Sequence, residues 1–260
     1  MIKAYYETFS KYRYLLFNLI SRDLKVKYRR SVLGFLWSLL NPILMMFILN
    51  AVFSRIFRSG IENFPLYLIT GQLIFGFFSE ATNGSLYSIV DSASLMKKVY
   101  IPKYIFPLEK TLFAFVNMLF SMLAVIVMLL IFKIPFNPTM FLAPIPMILL
   151  LMFSTGFGVI LSTICVFFRD IRHLYSVLIM AWMYMTPIFY PVEALSESFL
   201  MHIININPLY WYITYFRDVL IFGKPPSFMM NIICLLYAVV FLIIGFFLLK
   251  KHQDKFILHI

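Results

Sequence analysis

The stretch "KVKYRRSVLGFLWSLLNP", residues 25–42, places Lys25, Lys27, Arg29 and Arg30 directly before a segment that carries no further charge until Arg55. So abrupt a boundary is what a bilayer demands. Crossing a hydrocarbon core about 30 Å thick takes roughly 20 apolar residues, and basic side chains collect at the cytoplasmic end of the crossing. Further charge-free runs follow at 111–132, 134–168, 173–192 and 225–249. The whole chain is 62% hydrophobic and 13% charged, against about half and a quarter in soluble domains. These values specify an all-α membrane protein.

Six transmembrane helices are expected, at about 33–56, 65–90, 108–132, 139–168, 173–190 and 227–249, forming one transmembrane domain over 33–249. The second is interrupted by "SEATNGS" at 79–85. Its first part is too short to cross alone, so the helix continues through the polar run and Glu80 faces protein or water rather than lipid. With the N-terminus inside, 17 of the 22 Lys and Arg fall on the cytoplasmic side and five outside. That asymmetry places both termini in the cytoplasm and makes 250–260 a cytoplasmic tail. The first 30 residues are polar, aromatic and basic, so the first span is expected to be retained rather than cleaved as a signal peptide.

Within the cytoplasmic segment 1–32, Tyr5, Phe9, Tyr12, Leu16, Leu19 and Ile20 share one helical face opposite Lys3, Glu7, Lys11 and Asn18. This predicts an amphipathic interface helix. Between the last two spans, "FLMHIININPLYWYITYF" at 199–216 is broken by Asn207-Pro208, and neither half is long enough to cross. Two short re-entrant or interfacial helices on the outer side are expected, with their irregular backbone against protein or a water-lined path.

Several chemistries are excluded. No glycine begins a G-x-x-x-x-G-K-[ST] phosphate loop, so the chain holds no nucleotide by that route. The histidines, His173, His202, His252 and His259, lack metal-ligand spacing to Cys, Asp or Glu. Cys165 and Cys234 each lie in an apolar run and read as small buried hydrophobes. The net charge of +11 is explained by loops at anionic headgroups, without invoking nucleic acid.

The loop at 91–110, "DSASLMKKVYIPKYIFPLEK", reads as a brief helix, a turn at Pro102 and the start of the third span near Pro107. Leu95, Met96, Val99 and Ile101 are expected to project apolar bulk from an otherwise basic loop. Two readings fit: interfacial snorkelling with Lys97, Lys98 and Lys103 in the headgroups, or a knob that docks into a soluble partner.

Three segments, "RDLKVKYRRSVLGFLWSLLNPIL" (22–44), "SLMKKVYIPKYIFPLEK" (94–110) and "TPIFYPVEAL…NPLYWYITYFRDVLIFGKPP" (186–226), together resemble the membrane subunit of bacterial ABC-2 type exporters of polysaccharide, O-antigen and teichoic acid. The resemblance covers almost the whole chain. It implies a homodimeric channel in the bacterial cytoplasmic membrane, worked by two copies of a separate ABC ATPase that binds the ATP and Mg, with no cofactor or catalytic residue on this chain. The ATPase-coupling surface would be Ser94, Leu95, Met96, Lys97, Lys98, Val99, Tyr100, Ile101, Pro102, Lys103 and Tyr104, supported by the N-terminal helix. A lipid-linked glycan headgroup would be admitted at Tyr28, Arg29 and Arg30.

Sugars crossing a membrane stack on aromatic faces while their hydroxyls keep mobile partners. Aromatic residues coincide with polar backbone at Trp182, Tyr184, Tyr190, Tyr210, Trp211, Tyr212 and Tyr215, the expected substrate path, with Phe75 and Tyr87 as weaker candidates. Two alternatives remain at this level: an ABC-2 permease for a small hydrophobic drug or lipid, and a membrane-embedded glycan-modifying enzyme using polar residues such as Glu193, Glu197, Arg217 and Asp218.

Overall fold

A computed structural model describes residues 2–29, 31, 33–54, 63–192 and 199–256, with side chains from residue 11 onward, Leu200 apart. Among these residues the chain is helical throughout and has no strand. The elements are α1 (Ile2–Tyr28), a 3₁₀ turn (Gly34–Leu36) leading into α2 (Trp37–Phe53), α3 (Phe64–Asp91), α4 (Ala93–Met96), α5 (Ile105–Ile131), α6 (Pro144–Phe167) entered from a 3₁₀ turn (Pro138–Leu142), α7 (Ile171–Met185), α8 (Leu200–Ile206), α9 (Pro208–Leu220) and α10 (Phe228–His252). Among the described residues four stretches are long and apolar enough to cross a bilayer: Gly34–Phe53, Ile105–Ile131, Pro138–Phe167 and Phe228–Lys255.

α3 runs unbroken through the "SEATNGS" interruption. It has more buried residues than any other described helix, packed between α5 and α6, and so it can carry polar residues that lipid would not tolerate. α7 is shorter than the fifth span expected at 173–190. It stops at Met185 because Thr186 precedes Pro187 and adopts extended geometry, φ −102° and ψ 132°. At 15 residues it reaches about 22 Å at 1.5 Å per residue. The expected break at Asn207-Pro208 separates α8 from α9, where the Asn207 side chain caps α9 by accepting from the Leu209 N–H at 3.0 Å.

Apolar surface drives no helix association inside lipid, so packing and polar ties must hold the bundle. Pro42 sits inside α2 and cannot donate to the Ser38 carbonyl; the Ser121 hydroxyl of α5 donates to it instead, at 3.0 Å. Pro107, in the first turn of α5, receives the Ser85 hydroxyl of α3 on its carbonyl at 3.1 Å. The interior is aromatic. Phe78 stacks on Phe153 at 5.5 Å and meets Trp182 edge-on at 5.1 Å, and Phe153 meets Phe241 at 5.0 Å, which joins α3, α6, α7 and α10.

Candidate functional site

An open groove of about 1020 Å³ runs along one face of the bundle between α2, α3, α5 and the end of α7. α3 contributes Gln72, Gly76, Ser79, Glu80 and Asn83. Their spacing of four, three, one and three residues is one helical stripe. α2 adds Ser38 and Asn41, and α5 adds Asn117 and Ser121. Aromatic side chains stand among them: Tyr28, Trp37, Phe53, Phe75, Phe77, Tyr184 and Phe189. Gln72 Nε2 is buried in the wall and has no hydrogen-bond partner in the protein.

One end of the groove is lined by charge. Lys27, in the last turn of α1, places Nζ 2.7 Å from Glu80 Oε1. Asn117 Nδ2 donates to the same oxygen at 2.9 Å, and the Tyr28 hydroxyl donates to Asn117 Oδ1 at 3.2 Å. Glu80 is thus part of a network that ties α1 to α3 and α5. A second tie lies nearby, where Asp23 of α1 pairs with Lys110, which also lies 3.3 Å from the buried Glu109. Burial pushes the Asp23 carboxyl up, but Lys110 and Arg22 outweigh it and hold the group below its ordinary value.

α1 and the loop after α4 form one packed body. Leu16 of α1 is buried with Ile101, Ile105 and Phe106, flanked by Leu15, Leu19, Leu95 and Met96, and the Tyr12 hydroxyl donates to the Tyr100 carbonyl at 2.9 Å. The expectation that Leu95, Met96, Val99 and Ile101 all project from the loop is therefore corrected. The apolar face of α1 covers Ile101 and part of Leu95 and Met96, and Val99 and Tyr100 (77% exposed) project, beside exposed Ser94, Lys97 and Lys98. Pro102, Lys103 and Tyr104 are half-buried at the base.

The chain is a bundle of apolar helices with an open groove on one face and an exposed loop around Val99 and Tyr100. The family model for the ABC-2 type transporter matches residues 14–221. The chain belongs to the ABC-2 type transporter family. It is 31% identical over 247 residues to an O-antigen export system permease protein RfbA of Klebsiella pneumoniae, covering 93% of both chains. A protein of the same name from Myxococcus xanthus is 31% identical over 218 residues, 84% of each chain. The polysialic acid transport protein KpsM of Escherichia coli is 22% identical over 235 residues, 88% of each.

In this ABC-2 chain the residues expected along a path are dispersed. Tyr184 lines the groove and is 61% exposed, and Tyr190 donates its hydroxyl to the Tyr184 carbonyl at 2.9 Å. Phe75 also lines the groove, while Tyr87 lies beneath the Arg172 guanidinium. Trp182 packs in the aromatic interior and donates Nε1 to Asn207 at 2.8 Å. Trp211 donates to the Asn205 carbonyl at 2.8 Å and meets Tyr210 edge-on. Tyr212 and Tyr215 are fully buried, with hydroxyls donated to the Cys234 carbonyl and to Asn231 of α10. Of the three portal residues, Tyr28 enters the groove, Arg29 is exposed, and Arg30 lies outside the described residues.

Arg217 is not a surface polar group. It is buried at the opposite end from the knob, donating to the carbonyls of Pro187 and Tyr67 at 2.9 and 2.8 Å, with its guanidinium 3.3 Å from the Tyr67 ring centroid. It clamps α9 onto α3 and the segment after α7. Glu193 and Glu197 lie outside the described residues. The groove-lining stripe on α3 was missed as a site, although plotting the "SEATNGS" interruption on a helical wheel with Gln72 and Gly76 finds it.

Proposed function

We propose that this chain is the channel subunit of an ATP-driven exporter that moves a lipid-linked polysaccharide, of the O-antigen, capsule or teichoic-acid class, across the bacterial cytoplasmic membrane. The observation that carries the reading is the groove: polar side chains stand among aromatic and aliphatic ones in its lining, and it is open on one face of a single chain. The amide, hydroxyl and charged side chains in this wall, Asn41, Gln72, Ser79, Glu80, Asn83 and Asn117, are costly against lipid, so a second copy of the chain facing the first would close two grooves into one path. Amides and hydroxyls there can exchange hydrogen bonds with sugar hydroxyls, while the aromatic faces take the sugar C–H surfaces. The names of the relatives, permeases for O-antigen export and for polysialic acid transport, support a glycan over a small drug.

In this reading six segments cross, α7 with the chain that follows it being the fifth, and both termini are cytoplasmic. The partner ATPase seats on the knob formed by α1 and residues 94–104, and two ATPase copies serve two channel subunits. Because α1, the knob and the groove's charged end are tied through Leu16–Ile101 packing and Lys27–Glu80, movement of the knob is transmitted to the groove.

The knob gives the direct test. Tyr100 packs little of its side chain against the protein, so Tyr100→Ala alters stability by less than about 0.5 kcal/mol, as surface substitutions do. Co-purification with the partner ATPase is expected to fall by about tenfold or more, the weight of one aromatic anchor at an interface. A full-strength complex with the alanine variant would remove the knob from the coupling surface, and no complex with the parent chain would sink the exporter reading.

A further inference from the structure

The Lys27–Glu80 pair lines the charged end of the groove beside Tyr28, and on the function proposed above the substrate that passes this groove carries an anionic headgroup. Glu80 alone would repel such a headgroup. Paired with Lys27 it presents no net charge, and the side chains remain 40% and 36% exposed toward the groove, so an anion within the groove reaches both partners. Exposed ion pairs of this kind are weak and exchange partners readily. A phosphoryl anion carries more charge and more acceptor oxygens than a carboxylate and so makes the stronger charge-assisted bonds to an ammonium. The donors it would need surround the same point. Asn117 Nδ2 already donates to Glu80 Oε1 at 2.9 Å, and the Tyr28 hydroxyl lies 3.2 Å from Asn117 Oδ1. The Phe113 and Tyr28 rings, 5.4 and 5.8 Å from Lys27 Nζ, keep the ammonium at the groove mouth when its partner changes.

We propose that Lys27, Tyr28 and Asn117 form a binding site for the phosphate or pyrophosphate of a lipid carrier, and that Glu80 is a built-in stand-in for that anion, displaced when the headgroup arrives. Displacement cuts an ionic tie between α1 and the bundle, leaving the Asp23–Lys110 tie in place. Since α1 is packed on the knob, arrival of the headgroup is thereby signalled to the coupling surface.

The test is binding by the purified full chain in phosphatidylcholine nanodiscs, with three probes: undecaprenyl pyrophosphate, phosphatidylglycerol and inorganic pyrophosphate. Glu80→Gln removes the internal competitor and is expected to tighten undecaprenyl pyrophosphate binding roughly tenfold; Lys27→Gln weakens it by about the same factor, and Lys27→Arg restores most of it. The double variant behaves as Lys27→Gln, because without the ammonium there is nothing for Glu80 to occupy. Preference for the pyrophosphate lipid over phosphatidylglycerol assigns the site to the carrier, equal binding assigns it to phospholipid headgroups in general, and tight binding of inorganic pyrophosphate assigns it to a free anion; the last two overturn the carrier assignment. Glu80→Gln weakening binding, or leaving it unchanged, overturns the stand-in role. No binding of the carrier by the parent chain overturns the site, while the exporter reading is judged separately by polymer at the cell surface.

Discussion

Replacing Gly76 by tryptophan is expected to abolish export while the chain stays in the membrane at its ordinary abundance. Gly76 lies on the groove-facing stripe of α3, and a Cβ built there meets no atom within 4 Å. The fold therefore has room for a side chain at this position. Helix propensity even gains by up to about 1 kcal/mol when a glycine inside a helix is replaced. The indole projects into the groove between Gln72 and Ser79, across the path that a glycan would take. Gly76→Ala, with a single methyl, is expected to leave both abundance and export near the parent level. Surface polymer measured beside chain abundance checks the pair. Normal export by the tryptophan variant would mean that the groove is not the path.

Gly156→Leu is expected to have the opposite signature, loss of the chain itself. α6 and α10 make the most extensive helix pair of the bundle. They meet backbone to backbone: a Cβ on Gly156 would overlap the carbonyl group of Phe241 and the amide nitrogen of Leu242, and one on Gly245 would come 2.5 Å from the Gly156 carbonyl oxygen. Neither obstacle is a flexible side-chain end, so the helices must separate. Separation also strips the Phe153–Phe241 ring contact at 5.0 Å, which sits one turn away. Overpacking costs typically about 1–3 kcal/mol where side chains can give, and here only backbone can, so the penalty is at the upper end or beyond. Thermal unfolding of the detergent-solubilised protein, followed by size-exclusion, should show a large fall for Gly156→Leu and a smaller one for Gly156→Ala and Gly245→Ala. Parent-like stability in the leucine variant would contradict the close α6–α10 contact.

Much of the fold could be read from charge and hydropathy because lipid punishes error: a charge-free run of sufficient length has few other uses. The same logic carried α3 through its polar interruption, since residues 65–79 alone could not cross. The end of α7 was less legible. Its hydropathy continues to Tyr190, yet Thr186-Pro187 imposes extended backbone, and the local proline rule outweighs the apolar pattern there.

The site was harder to read, for a reason visible in Tyr212 and Tyr215. Aromatic residues near polar backbone describe both a sugar path and a hydroxyl anchored on a neighbouring helix, and sequence does not say which helix a hydroxyl reaches. Both tyrosines are spent on α10. Arg217 is a similar case, because its partners are carbonyls of Tyr67 and Pro187, distant in sequence and carrying no charge to betray them. Glu80, by contrast, is legible as a residue facing protein or water within the second span, but its meaning depends on Lys27 lying 2.7 Å away across 53 residues of chain.

The most direct measurement of the central claim is the fate of lipid-linked polymer when this chain is depleted from its host. The account predicts that polymer continues to be made but disappears from the cell surface and accumulates on the inner face of the cytoplasmic membrane, reached by a glycan-specific lectin only after permeabilisation. Surface polymer undiminished in amount, with none held inside, would contradict it.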